Sequence, residues 1–198
     1  MGKDLSRVKT AFFINQSFMV DLIRPVVPWL NDYLVFTDKE FCRRACEKYG
    51  LKNIYIKDYR IMNWEMATYN PSVFVQFDCQ PALFPRNGSV NIYIPKQFNI
   101  FLSDSLHAYD YILVSNKHNK KLLEDFGIPG GRVKIVGFTK YSLLAEGKEV
   151  ELIKSEQMVW DKYQGTNYLN LNAGSNIAAF ITRVGERNKL PTNWIRMR

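Results

Sequence analysis

Residues 33–56, YLVFTDKEFCRRACEKYGLKNIYI, contain a complete strand–helix–strand unit. Tyr33-Leu34-Val35-Phe36 is a short, nearly continuous apolar run of β-branched and aromatic residues. Strands read this way when both faces of a parallel sheet are covered. Thr37-Asp38-Lys39-Glu40 then reads as a capping box, with Thr37 at the N-cap and Glu40 at N3. Phe41, Cys42, Ala45, Cys46 and Tyr49 recur on one helical face, and Gly50 supplies the stop. Asn53–Ile56 is the next apolar run. Two strands joined through a helix lie parallel, and the crossover is right-handed.

The same alternation extends in both directions. Apolar runs occur at Thr10–Ile14, Tyr33–Phe36, Asn53–Ile56, Val73–Phe77, Val90–Ile94, Tyr111–Val114 and Val133–Val136. Between them lie helical segments. Phe18 to Leu30 starts as a helix that Pro25 and Pro28 kink or break. Ile61 to Tyr69 forms a short helix that ends before Pro71. After the sixth run, Ser115 or Asn116 caps a helix with Leu122, Leu123 and Phe126 inward and Gly127 at its end. The fold class is therefore α/β: a Rossmann-like parallel sheet of about seven strands with helices on both faces. The expected strand order is three-two-one-four-five-six, with the seventh at the edge.

The sheet pattern stops near Phe138. Residues 146–164 read as a helix, Tyr168–Leu171 as an eighth strand, and Ile177–Val184 as an apolar helix following the Gly174-Ser175-Asn176 loop. Trp194 and Ile195 are docking points in a basic tail. Residues 1–145 are thus expected to form the Rossmann-like domain. Residues 146–198 form either a helical extension or the vestigial start of a second domain.

Composition narrows the setting. The 198 residues carry 46% hydrophobic and 23% charged side chains, ordinary for a globular chain. The net charge of +8 favours anionic partners such as phosphate-bearing small molecules or acidic lipid surfaces. The cations are dispersed rather than run together, which argues against nucleic acid. The cysteines, Cys42, Cys46 and Cys79, are odd in number and suggest neither a disulfide framework nor a zinc site. With no signal-peptide core and no long apolar run, the expected setting is cytoplasmic, compatible with peripheral membrane contact.

In such a sheet, loops leaving the carboxyl ends of the strands converge where the strand order reverses. The residues following each strand are therefore the candidates. Asn15, Gln16 and Ser17 follow the first strand, and Thr37 and Asp38 the second. Asp78 follows the fourth, Lys96, Gln97 and Asn99 the fifth, and Ser115 and Asn116 the sixth. This polar, partly cationic set suits a hydroxyl-rich or phosphorylated ligand. Asp78, at the end of an apolar strand, is the candidate general base, or else a turn cap before Pro81. Lys96 either neutralises an anion or is a solvated loop lysine. Gly174, Ser175 and Asn176 open a helix whose free N–H groups can hold phosphate, with Ser175 as a plain N-cap the alternative. His107 and His118 are isolated, so neither a metal site nor a cofactor is expected.

Four stretches carry a family resemblance. They are Asn70-Pro-Ser-Val-Phe-Val-Gln-Phe-Asp78, His107-Ala-Tyr-Asp-Tyr-Ile-Leu-Val-Ser115-Asn, Lys121-Leu-Leu-Glu-Asp-Phe-Gly-Ile-Pro129 and Arg132-Val-Lys-Ile-Val-Gly-Phe138. Together they resemble the N-terminal, acceptor-side half of GT-B fold glycosyltransferases. The nearest flavour is the group around CDP-glycerol glycerophosphotransferases and related surface-carbohydrate enzymes. The resemblance implies a glycosyltransferase that takes a nucleotide-linked sugar or polyol phosphate donor and a hydroxyl acceptor. Such enzymes commonly place His-Gly where this chain has Lys96-Gln97. They also need a second Rossmann domain, for which too few residues follow Glu149. A partner chain or a second copy would then supply the donor half. The alternative is a non-catalytic carbohydrate- or protein-binding module, with Phe98–Phe101 and Trp194 as contacts.

Overall fold

The computed structural model describes residues 8–77, 88–96, 100–137 and 173–188. Each apolar run forms a strand: β1 (Lys9–Ile14), β2 (Asp32–Thr37), β3 (Asn53–Tyr55), β4 (Val73–Gln76), β5 (Val90–Tyr93), β6 (Tyr111–Val114) and β7 (Val133–Ile135). They make one sheet of order β3-β2-β1-β4-β5-β6-β7. All six pairings are parallel. The order reverses between β1 and β4, as the sequence pattern predicts.

The helices are α1 (Met19–Ile23), α2 (Glu40–Lys48), α3 (Tyr59–Tyr69), α4 (Lys117–Asp125) and α5 (Ala173–Asn188). Short 3-10 turns lie at Val27–Trp29 and Asp104–Ala108. The break between α1 and the first 3-10 turn falls at Pro25, where a proline lacks the donor to continue the helix. Asn70 ends α3 in the left-handed region, just before Pro71. The eighth strand, the 146–164 helix, the tail at Trp194 and Ile195, and Cys79 lie outside the described residues.

Side-chain alternation along the strands divides the core. Phe12, Ile14, Val35, Val73, Val75, Ile92 and Leu113 face one side. They pack against Leu22 and Ile23 of α1, Cys42 and Cys46 of α2, and Ile177 and Ile181 of α5. On the other face Ala11, Phe13, Phe36 and Phe74 meet Met62 and Met66 of α3. Farther along that face, Tyr93, Ile112, Val114 and Val133 meet Leu106 and Leu123. Each fully buried large side chain contributes about 2 kcal/mol of transfer free energy. The connections that carry α3 and α4 cover this second face. Helix α5 covers the first face beyond α1, with Phe180 edge-on to Tyr111 at 5.0 Å.

Two local expectations are corrected. Thr37 is not the N-cap of α2: it is the last residue of β2, and its Oγ1 accepts from the Lys39 amide at 3.2 Å. Lys39 takes the N-cap position with no side-chain cap, and Glu40 pairs with Arg43 and Arg44 instead of reaching back. Phe41 does not face inward. It is 52% exposed, while Cys42 and Cys46 are fully buried. At 3.6 residues per turn, Phe41 lies about 120° around the helix from the buried Cys42 and Cys46, which puts it on the solvent side.

Candidate functional site

The strand register builds one rim. Ile14 pairs with Thr37, Phe13 with Gln76, Gln76 with Tyr93, and Tyr93 with Ile112. Parallel strands lie about 4.8 Å apart. Asp38, Asn15, Lys96 and Ser115 therefore leave the sheet along the same edge, one or more residues beyond the last paired rows. Asp78, Gln97 and Asn99 lie outside the described residues. Asp78 follows Phe77 directly, and Phe77 is buried at the end of β4.

At the switch point, the loop after β1 turns sharply into α1. The Met19 amide donates to the Gln16 carbonyl at 3.1 Å, and the Val20 amide to the Ser17 carbonyl at 3.1 Å. Asn15 and Gln16 are half-buried and Ser17 is exposed. Asn15 Oδ1 is buried and accepts no hydrogen bond among the described residues.

Toward β2 the rim holds a carboxylate that the sequence reading placed on the rim without assigning it a role. Asp38 is 6% exposed. Its Oδ2 accepts from the Tyr59 hydroxyl at 2.6 Å and lies 3.3 Å from Lys39 Nζ. Its Oδ1 is buried without a donor among the described residues. Asp58 caps α3 by accepting from the Arg60 amide at 2.7 Å, which fixes the first turn that presents Tyr59. The hydrogen bond to Asp38, reinforced by burial and by the negative charge, pushes the Tyr59 phenol up to about 12. The spacing from Asp38 to Tyr59 follows no sequence motif, so only the crossing of α3 over the sheet end brings them together.

Toward β6, Asn116 caps α4 through its Oδ1, which accepts from the Asn119 amide at 2.8 Å. Ser115 Oγ lies 2.7 Å from Asn116 Nδ2 and 3.2 Å from Asn119 Nδ2. Ser115 and Asn116 thus serve the helix start, one of the two roles the sequence allows. Lys96 is half-buried beyond β5. Under the rim, Gln76 Oε1 accepts from the Tyr109 hydroxyl at 3.2 Å, a buried pair that the apolar pattern of β4 does not announce.

Gly174, Ser175 and Asn176 are not a loop in the structure; they belong to α5. Gly174 is buried against Pro25, and a Cβ there would overlap the Pro25 carbonyl. That residue serves close packing between α5 and the segment after α1. His107 stacks near Phe126 at 5.8 Å, and its carbonyl accepts from Arg132. Among the described residues no group of three or more His, Cys, Asp or Glu is placed to hold a metal. None of the described helices is long and apolar enough to cross a membrane.

No protein-family model matches the chain, and no curated protein matches it. Solved structures do. A Listeria monocytogenes protein assigned as a UDP-N-acetylglucosamine 2-epimerase aligns with 74% of this chain and 48% of its own, at 12% identity and a TM-score of 0.56. The UDP-GlcNAc 2-epimerase of Neisseria meningitidis, solved bound to UDP-GlcNAc, aligns with 76% of this chain and 53% of its own, at 11% identity and a TM-score of 0.56. The Methanocaldococcus jannaschii UDP-GlcNAc 2-epimerase aligns over the same shares at 13% identity and a TM-score of 0.50. The chain spans about half the length of these structures. What it shares with them is the fold, a Rossmann-like domain of the GT-B type.

Proposed function

We propose that this chain is one half of a GT-B-type glycosyltransferase site, acting with a nucleotide-linked sugar or polyol phosphate donor and a hydroxyl acceptor. The observation that carries this reading is the reversal of strand order between β1 and β4, with an Asn15 oxygen at its carboxyl edge that meets no donor among the described residues. Ligands of open α/β sheets bind at such a point. The fold shared with a protein that holds UDP-GlcNAc supports a nucleotide sugar as the ligand class. The narrower tie to glycerophosphotransferases rests on the 107–138 motifs.

In this reading Asp78 takes the proton of the acceptor hydroxyl. The acceptor oxygen bonds to the anomeric carbon, or to phosphorus for a glycerophosphate donor. The bond to the leaving phosphate oxygen breaks, and the nucleotide departs as an anion. In the same reading Lys96, beyond β5, neutralises that charge. A partner chain, a second copy or further sequence would complete the donor site.

The test is transfer or hydrolysis of UDP-GlcNAc and CDP-glycerol by the purified chain, with thermal stabilisation by the same compounds. Turnover that Asp78→Ala abolishes supports the enzyme. Turnover that survives Asp78→Ala removes Asp78 from the chemistry. Phe101, 81% exposed just beyond β5, favours a second reading as a carbohydrate- or protein-binding module. Saturable sugar binding with no turnover, lost on Phe101→Ala, would select it.

A further inference from the structure

Two buried acceptor oxygens belong to residues that directly follow the paired strands β1 and β2, and neither meets a donor among the described residues. One is Oδ1 of Asp38, whose side chain is 5% exposed. The other is Oδ1 of Asn15. Phe13 pairs with Phe36 and Ile14 with Thr37, the last paired row, and Asn15 and Asp38 are the residues that leave it. Phe13 and Phe36 face α3, whereas Ile14 and Thr37 turn to the opposite face, where Thr37 meets Cys42. Asp38, the next residue after Thr37, returns to the α3 side. The contact between Asp38 and Tyr59 of α3 agrees with this.

A buried acceptor without a donor costs about 1–3 kcal/mol. Here the cost falls at two neighbouring groups on the edge where a ligand is expected. Tyr59 and Lys39 occupy Oδ2 of Asp38, so the vacant capacity is directed through Oδ1. The Lys39 ammonium already balances the carboxylate charge, which favours a neutral donor over a further cation. A phosphate brings only more acceptors. A pair of hydroxyls brings two donors.

We propose that Asp38 and Asn15 form a subsite for neighbouring hydroxyls of a sugar ring or polyol. It holds the hydroxyl end of the ligand and rejects the phosphate end. The inference deepens the reading above, since it fixes which end of the ligand lies over β1 and β2.

The test is calorimetric titration of the full chain with neutral hydroxyl probes (N-acetylglucosamine, galactose, glycerol), with UDP, and with UDP-GlcNAc. Asp38→Asn keeps the shape but loses the carboxylate acceptor, and Asn15→Ala is a second variant should the first misfold. Near-ultraviolet circular dichroism verifies packing. The expected result is saturable binding of at least one neutral probe, weakened about tenfold by either substitution, with UDP affinity unchanged. Equal affinities in wild type and both variants, or no neutral probe bound by the wild type, would overturn the subsite. If neutral probes respond to the substitutions but UDP and UDP-GlcNAc do not bind, the subsite stands and the nucleotide-sugar reading falls. If UDP-GlcNAc binds equally to wild type and variants, the subsite falls and that reading stands.

Discussion

Gly174, in α5, lies so close to the Pro25 carbonyl that the two segments leave no volume for a Cβ between them. This contact holds the late helix against the break that Pro25 makes after α1. Gly185, farther along the same helix, meets the Val8 methyl groups and Val73 instead. The first neighbour is backbone and cannot turn aside. The second is side chain throughout, and it yields by a small shift of Val8 rather than of backbone.

Substitution should separate these two positions. Gly174→Ala is expected to destabilise the fold by about 1–3 kcal/mol through overpacking, despite the helix propensity gained. Gly185→Ala should cost less, and Val8→Ala combined with it should recover part of the loss. Urea unfolding of the four proteins measures this. Equal losses for the two single variants would contradict the packing account.

Alkaline titration should reveal Tyr59. Its phenol ionises at about 12 in the fold against an ordinary value of 10. Between these values the unfolded chain has released the proton and the folded chain still holds it. The contribution of this group to stability is therefore complete below pH 10 and is lost as pH rises toward 12. Tyr69 behaves in the same direction, first through burial and then through Asp32. In phenolate absorbance, Tyr59→Phe should remove an ionisation near pH 12 rather than near pH 10. Loss of a step at pH 10 would mean that the bond to Asp38 is absent in solution.

The cap of α4 is the next check. Asn116→Ala deletes the acceptor of the Asn119 amide and leaves Ser115 and Asn119 with one partner fewer. A loss of about 1 kcal/mol is expected. Thr37→Val should leave the start of α2 nearly unchanged in helix content, because Thr37 does not cap it. Thermal unfolding followed by circular dichroism compares the two.

The two faces of α3 should respond unequally. Met62 and Met66 are fully buried, whereas Trp64 is 65% exposed. Met66→Ala is expected to cost about 2–5 kcal/mol, and Trp64→Ala no more than about 0.5 kcal/mol. A large loss at Trp64 in dilute solution would show that this helix face is covered.

The sequence by itself determined the strands, their parallel run and their order, because apolar runs, prolines and glycines act over a few residues and right-handed crossovers fix the rest. It also put Asn15, Asp38 and Ser115 on one rim, since each follows a strand directly. Only the tertiary structure decided what each of these side chains does. Asn116 is used up as a cap, and Gly174 is filled by Pro25. Asp38 joins Tyr59 across 21 residues and keeps one oxygen unmet among the described residues. Those outcomes depend on the neighbours that packing brings from distant parts of the chain, and no local period encodes them.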